Sequence, residues 1–270
     1  MAEHDPIRVM PSRRARAGYW LPSMGLLFAV VGGVLVLVPG PGYRWQVLGL
    51  GTAFTLLRWG AFVGLAGALV SLLALLRAFT GIRRQTVAVL FAWVGLALGT
   101  ASFGLPWVLL QQAHRVPPIH DITTDTMQPP AFHAILPLRG GASNPVTYGG
   151  PAIAREQHRA YPDIKPLQLH VSPQQAFAAA LEVAKGMGWQ IVAAEPQVQR
   201  IEATATTFWF GFKDDVVIRI RAVGSGARVD IRSDSRVGVS DLGKNAERIR
   251  RFSNRLIQLI NSESPAPAAS

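Results

Sequence analysis

The chain has 270 residues, 49% of them apolar, with a mean hydropathy of +0.24, no cysteine and a net charge of +11. That length allows one or two domains, the apolar excess points to a membrane, and the lack of cysteine excludes disulfides and thiolate metal centres. Residues 1–110 hold nine basic and two acidic groups, net +7, against eighteen and fourteen beyond them, net +4, so the basic excess is mostly topogenic and nucleic acid is excluded as a partner.

Three stretches free of charged residues come first: Leu21–Val38, Trp59–Leu76 and Thr86–Leu110. A bilayer core of about 30 Å is spanned by about 20 helical residues, so each predicts a transmembrane helix, and together they make 1–110 a membrane anchor. Lipid offers the backbone no hydrogen-bond partner, which forces helix over open strand. The first stretch has the basic flank of a signal peptide. Its apolar core is too long for one, however, and Pro39-Gly40-Pro41-Gly42 carries no cleavage motif, so it is read as retained. Val47–Leu57 is itself apolar and lies in the interface or extends the second helix. The basic flanks set the orientation. Arg8, Arg13, Arg14 and Arg16 precede the first span, and Arg77, Arg83 and Arg84 follow the second, against Arg44 and Arg58 in the loop between. The N-terminus is therefore expected in the cytoplasm and the C-terminal domain in the periplasm, as a multi-pass protein of a bacterial inner membrane. Gly60, Gly64 and Ala68, with Gly95 and Gly99, have the spacing that lets the second and third helices approach closely; homodimerisation is the other use. No ionisable residue lies within a span, so no ion pathway is predicted.

Residues 111–166 read as a Pro/Gly-rich linker lying along the folded domain, with a strand-like segment at His133–Leu138. Its His120, Asp121, Asp125 and His133 lack compact ligand spacing, so turn and surface roles are preferred and no metal or cofactor is expected. The soluble domain is expected over 167–261, followed by a disordered tail at 262–270. A strand at Leu167–Val171 leads to a helix over Pro173–Lys185, capped by Ser172, then to strands at Trp189–Ala194 and Arg200–Phe210. The next two strands form a hairpin about a two-residue type II′ turn at Gly224-Ser225. That register pairs Ile220 with Val229, Ile218 with Ile231, Arg219 with Asp230 and Arg221 with Arg228; any slip would pair apolar with polar residues. A last helix over Asp241–Ile260 buries Leu242, Ile249, Phe252, Leu256 and Ile260. The fold class is α+β: three transmembrane helices, then an antiparallel sheet with two packed helices in the order α-β-β-β-β-α, both helices on the Ile218/Ile231 face.

The stretches FWFGFKDDVVIRIR and DIRSDSRVGVSDLGKNAERIR, Phe208–Arg221 and Asp230–Arg250, resemble the bacterial and plastid domain of unknown function numbered 1499. Members share a phenylalanine-rich strand, an Asp-Asp pair, an Arg-Ser strand end and Ser-Arg-x-Gly-x-x-Asp-x-Gly-x-Asn before the last helix. IHDITTDT and AYPDI, Ile119–Thr126 and Ala160–Ile164, are similar to its membrane-attached branch, and Ala246 departs from the basic residue expected after Asn. The resemblance spans roughly 117–260 and implies a fold and an envelope setting but no reaction.

The polar residues of these motifs are the candidate site. Arg232, Ser233, Ser235, Arg236, Asp241, Asn245 and Arg248 would bind an anion, with Arg232 and Arg236 meeting an anionic head group beside the first turn of the last helix. The competing reading pairs Asp214 or Asp215 with those arginines and makes Asp241 a helix cap. Asp214 and Asp215 point to opposite faces of one strand and cannot share a substrate, and no nucleophile elbow, zinc-protease motif or phosphate loop is present. No catalytic residue is assigned. The expected function is a binding or accessory module near the bilayer, with membrane lipids as partners; an envelope interaction scaffold is the alternative, ahead of an unrecognised hydrolase.

Overall fold

A computed structural model gives the positions of residues 13–80 and 86–263. Arg8, Arg83, Arg84 and residues 264–270 of the expected tail lie outside the described residues. The chain divides into two compact units, Met1–Gln111 and Gln112–Ser270.

The N-terminal unit is helical: α1 (Arg13–Leu37), the short α2 (Pro39–Arg44), α3 (Leu50–Thr80) and most of α4 (Thr86–Arg115). Among the described residues three helices, Tyr19–Arg44, Leu50–Phe79 and Thr86–Arg115, are long and apolar enough to cross a membrane. The second begins at Leu50, so the apolar 47–57 loop is mostly helix and Arg58 lies within it. Its 31 residues extend about 46 Å, longer than a bilayer core, which leaves room for Arg58 at the interface. Small residues carry the packing. A side chain at Gly64 would collide with Ser102 of α4, and one at Gly99 with the backbone of Gly64 and Ala68 of α3. Gly60 instead faces Leu35 and Val36 of α1, so the small-residue stripe serves two neighbours.

The C-terminal unit is an antiparallel sheet in the order β1-β6-β5-β4-β3, with β2 also on β6. The strands are β1 (Asp121–Thr123), β2 (Leu167–Leu169), β3 (Gln190–Glu195), β4 (Arg200–Thr206), β5 (Lys213–Val223) and β6 (Gly226–Ser235). The hairpin pairs Ile218 with Ile231, Arg219 with Asp230, Ile220 with Val229 and Arg221 with Arg228, as the alternation requires. Gly224 has φ +57 while Ser225 is not left-handed, the pattern of a type II′ turn. Helices α6 (Pro173–Gly186) and α7 (Lys244–Glu263) cover one face, where Phe177, Ala180, Ile249, Phe252 and Leu256 bury Ile201, Ile218, Val229 and Ile231. Ser172 caps α6 in a capping box with Gln175.

Four segments differ from the sequence reading. Of residues 111–166, expected as a linker, 111–115 complete α4 and 116–166 are part of the domain. They supply β1, a 3-10 turn at Leu136–Arg139 and helix α5 (Gly150–Ala160), and they bury Ile119, Ile122, Phe132, Ile135, Tyr161 and Ile164. These apolar residues have no period because each drops singly into a preformed surface. The strand expected at His133–Leu138 is that turn, because the Glu202 carboxylate accepts the amides of His133 and Ile135 at 2.9 and 3.0 Å. The strand expected to run to Phe210 stops at Thr206, where Thr207–Phe212 closes a loop: the Thr207 amide donates to the Phe212 carbonyl, with Gly211 at φ +68. The last helix starts at Lys244. Asp241 caps it from outside and Leu242, expected to be buried, is half-exposed at φ +55.

Candidate functional site

Alternation places the polar motif residues on both sides of the sheet, so the expected cluster is two networks. On the helix face, the Arg248 guanidinium donates to Ser233 (2.9 Å) and Asn245 and pairs with Asp214. Asn245 also donates to Ser235 and to the His120 carbonyl, while Ser233 donates to Asn245 at 2.7 Å. Asp241 accepts the amides of Gly243 and Asn245 at 2.8 and 2.6 Å, and burial raises its carboxyl pKa.

On the opposite face, Arg232 grips Asp121 through two parallel bonds, Nε–Oδ1 at 2.9 Å and Nη2–Oδ2 at 2.7 Å, with both side chains almost fully buried (4% and 6% exposed). Its remaining N–H groups donate to the carbonyls of Pro130 (3.2 Å) and Val146 (2.7 Å), and its cation lies 4.9 Å from the Phe132 ring centre and 5.7 Å from that of Tyr148. Burial raises the Asp121 carboxyl and pushes the Tyr148 hydroxyl up to about 12. Arg236 and Arg139 both pair with Asp215, and Arg139 also reaches Asp234 at 3.0 Å. His120 meets Asp234 at 2.9 Å, and that bond raises the imidazole pKa.

This second network holds three arginines, Arg139, Arg232 and Arg236, against three aspartates, Asp121, Asp215 and Asp234, so its fixed charges cancel. An entering anion would have to displace buried carboxylates from guanidiniums already satisfied by protein oxygens. Arg232 and Arg236, the head-group ligands expected from sequence, are instead the bolts that hold residues 130–148 on the sheet. Asp214 and Asp215 do face opposite ways, Asp214 paired with Arg248 and Asp215 with Arg139 and Arg236. Among the described residues no group of three or more His, Cys, Asp or Glu is placed to hold a metal.

Further along the same outer face, Arg219, Arg221 and Arg228 converge on Asp125 and Asp230. Asp125 also accepts the amides of Met127 and Gln128, so this group fixes the chain leaving β1.

A cationic concavity lies beside the helix-face network. A cleft of about 230 Å³ is lined by Met187, Gly188, Trp189, Ala205, Thr206, Thr207, Lys244, Arg248 and Arg251. Three cations, two threonines and an indole line it, and one of the cations, Arg248, is already held by Asp214, Ser233 and Asn245. Lys244 and Arg251 each touch Glu247, at 2.9 and 3.1 Å, in exposed pairs weak enough for a ligand to compete with. Of the residues expected from sequence only Arg248 belongs to it. Lys244 and Arg251 carry no local motif and meet Thr206 and Thr207 only through packing of α7 on the sheet.

The family model described as "Protein of unknown function (DUF1499)" matches residues 121–256. No curated protein matches the chain. Among solved structures, the chain is similar to the crystal structure of TTHA0849 from Thermus thermophilus, at 13% identity, covering 37% of this chain and 96% of that one, with a TM-score of 0.25.

Proposed function

Because the chain belongs to the DUF1499 family, whose description specifies no reaction, we propose a function from its own geometry: a membrane-tethered binding module that holds an anionic group in the Lys244/Arg248/Arg251 cleft. The observation that carries this reading is the lining of that cleft, where Lys244 and Arg251, in exposed pairs with Glu247, stand beside Thr206 and Thr207, while Arg248 is held by Asp214, Ser233 and Asn245. An exposed guanidinium and ammonium lining one concavity suit a phosphate or carboxylate. The tether is supported by the three long apolar helices. The basic residues flanking them favour a cytoplasmic N-terminus and a periplasmic C-terminal domain in a bacterial inner membrane. Anionic phospholipid head groups are then the most abundant ligand of suitable chemistry within reach.

The test uses the full chain in nanodiscs of phosphatidylcholine alone or with phosphatidylglycerol. The midpoint of thermal unfolding of the C-terminal unit should rise with phosphatidylglycerol content, because a ligand that binds only the folded state stabilises it. Lys244→Glu with Arg251→Glu should abolish the rise while leaving the midpoint in phosphatidylcholine near that of the wild type. A midpoint indifferent to phosphatidylglycerol and to added inorganic phosphate would overturn the reading.

A further inference from the structure

Sheet topology gathers one set of loops at the end where the chain enters the C-terminal unit. The Gln112 side-chain amide donates to the Leu242 carbonyl at 3.0 Å, and the amide of Asp241 donates to the Ile119 carbonyl. β6 ends at this side and β5 begins here, the Arg236 amide donating to the Lys213 carbonyl. The Thr207–Phe212 loop between β4 and β5 therefore stands at the same end, as does the 236–243 connection to α7. The hairpin tips at 196–199 and 223–226 stand at the other.

The entry end exposes what a soluble surface hides. Phe208 is 92% exposed and Val239 75% exposed, and Leu138, whose carbonyl accepts from Arg236, is half-exposed. Phe208 is held out by a stiff base: Trp209 meets Phe210 edge-on at 5.0 Å, and Phe210 stacks on Phe212 at 4.9 Å. Exposed cations, Arg115 and Lys213, stand at the same end. Gln112 follows the last residue of the third apolar stretch, Leu110, by two positions, so this is the tethered end of the domain. Aromatic and aliphatic tips at an end that also exposes basic residues match an anionic bilayer, whose interface takes up apolar side chains while its surface attracts Lys and Arg.

We infer that the Thr207–Phe212 loop, with Val239 at the same end of the sheet, docks into the interfacial layer of the anionic bilayer that the apolar helices cross. Phe208 is the inserted side chain, and Arg115 and Lys213 meet lipid phosphates. The inference rests on the membrane tether in the proposed function but not on the cleft. It gives the phenylalanine-rich family motif a task that its neighbours in the core do not perform: it holds the domain down on the surface so that the cleft at the same end faces head groups.

The chain has no cysteine, so a single one can carry a polarity-sensitive fluorophore in the full-length protein. Phe208→Cys, Val239→Cys and, at the opposite end, Val223→Cys (49% exposed in the wild type) would be labelled and placed in nanodiscs containing phosphatidylglycerol. The expected result is blue-shifted emission at 208 and 239 and severalfold quenching by nitroxide-labelled lipid, with neither effect at 223. The Val239 probe leaves Phe208 in place; adding Phe208→Asp to it should reverse its shift. Probes at 208 and 239 that behave like the one at 223 would overturn the inference. So would a blue shift without quenching by lipid nitroxide, which would mean that protein, a second copy or a partner, covers the loop. The cleft is read separately, by a midpoint rise with inorganic phosphate in phosphatidylcholine nanodiscs that Lys244→Glu with Arg251→Glu removes, so either proposal can fail alone.

Discussion

Replacing Arg232 by Met separates a structural arginine from a ligand-binding one. The substitution keeps an unbranched side chain of similar length but removes the cation from a pair in which Arg232 and Asp121 are 4% and 6% exposed. Asp121 is left buried without its partner, and the carbonyls of Pro130 and Val146 lose their donors. Breaking one side of such a pair costs about 3–5 kcal/mol. For a domain of this size about 1 kcal/mol moves the unfolding midpoint by roughly 2–4 °C, so a fall on the order of 10 °C is expected. Adding Asp121→Leu removes the stranded carboxyl and should recover most of the loss. A residue of about 1–3 kcal/mol should remain from the unpaired carbonyls. The assay is thermal and urea unfolding of the full chain in detergent, followed by tryptophan fluorescence. A single variant within about 0.5 kcal/mol of wild type, the span of an ordinary surface substitution, would refute the assignment and return Arg232 to the list of ligand residues.

Gln157 is fully buried, and its side-chain amide brackets Thr123, accepting from the Thr123 amide at 3.0 Å and donating to its carbonyl at 2.7 Å. Gln157→Ala should cost about 2–4 kcal/mol by leaving both backbone groups unpaired, and hydrogen exchange should quicken at β1 before the rest of the sheet. His120 should give a pH dependence, since its bond to Asp234, helped by the charges of Asp121 and Asp241, raises its pKa above the ordinary 6.5. The imidazolium is favoured in the folded state, so this stability is fully present below 6.5 and is lost as pH rises through the raised folded value. Midpoints measured across that window should fall more steeply for wild type than for His120→Gln, and equal slopes would remove His120 as the cause. An alkaline phosphatase fusion after Arg115 should be active, and an inactive, well-expressed fusion would reverse the orientation.

Legibility followed periodicity. The apolar stretches in the first half depend only on length and composition, because a bilayer imposes the same demand at every position along a span. The β5–β6 register was legible because two alternating strands and a two-residue Gly-Ser turn leave one pairing that keeps Ile218, Ile220, Val229 and Ile231 together. Residues 116–164 were illegible for the opposite reason. Ile119, Phe132, Ile135 and Ile164 are single anchors set in irregular backbone, and the groups that hold that backbone, Glu202, Asp215 and Arg232, stand far away in the chain. The Phe208–Phe212 run was aromatic enough to pass for a strand, and Gly211 was the one local sign of a turn.

The amino-acid sequence by itself determined the helices long and apolar enough for a membrane, the α+β class, the central hairpin and the family, since each rests on local pattern or on separated motifs in a fixed order. Only the tertiary structure decided what the polar motif residues do. A strand sends neighbouring side chains to opposite faces, so residues adjacent in sequence entered different networks, and whether an arginine is free or spent depends on carboxylates a hundred positions away. The same packing assembled the Lys244/Arg248/Arg251 cleft from α7 and the ends of β3 and β4, where no local sequence signal marks it.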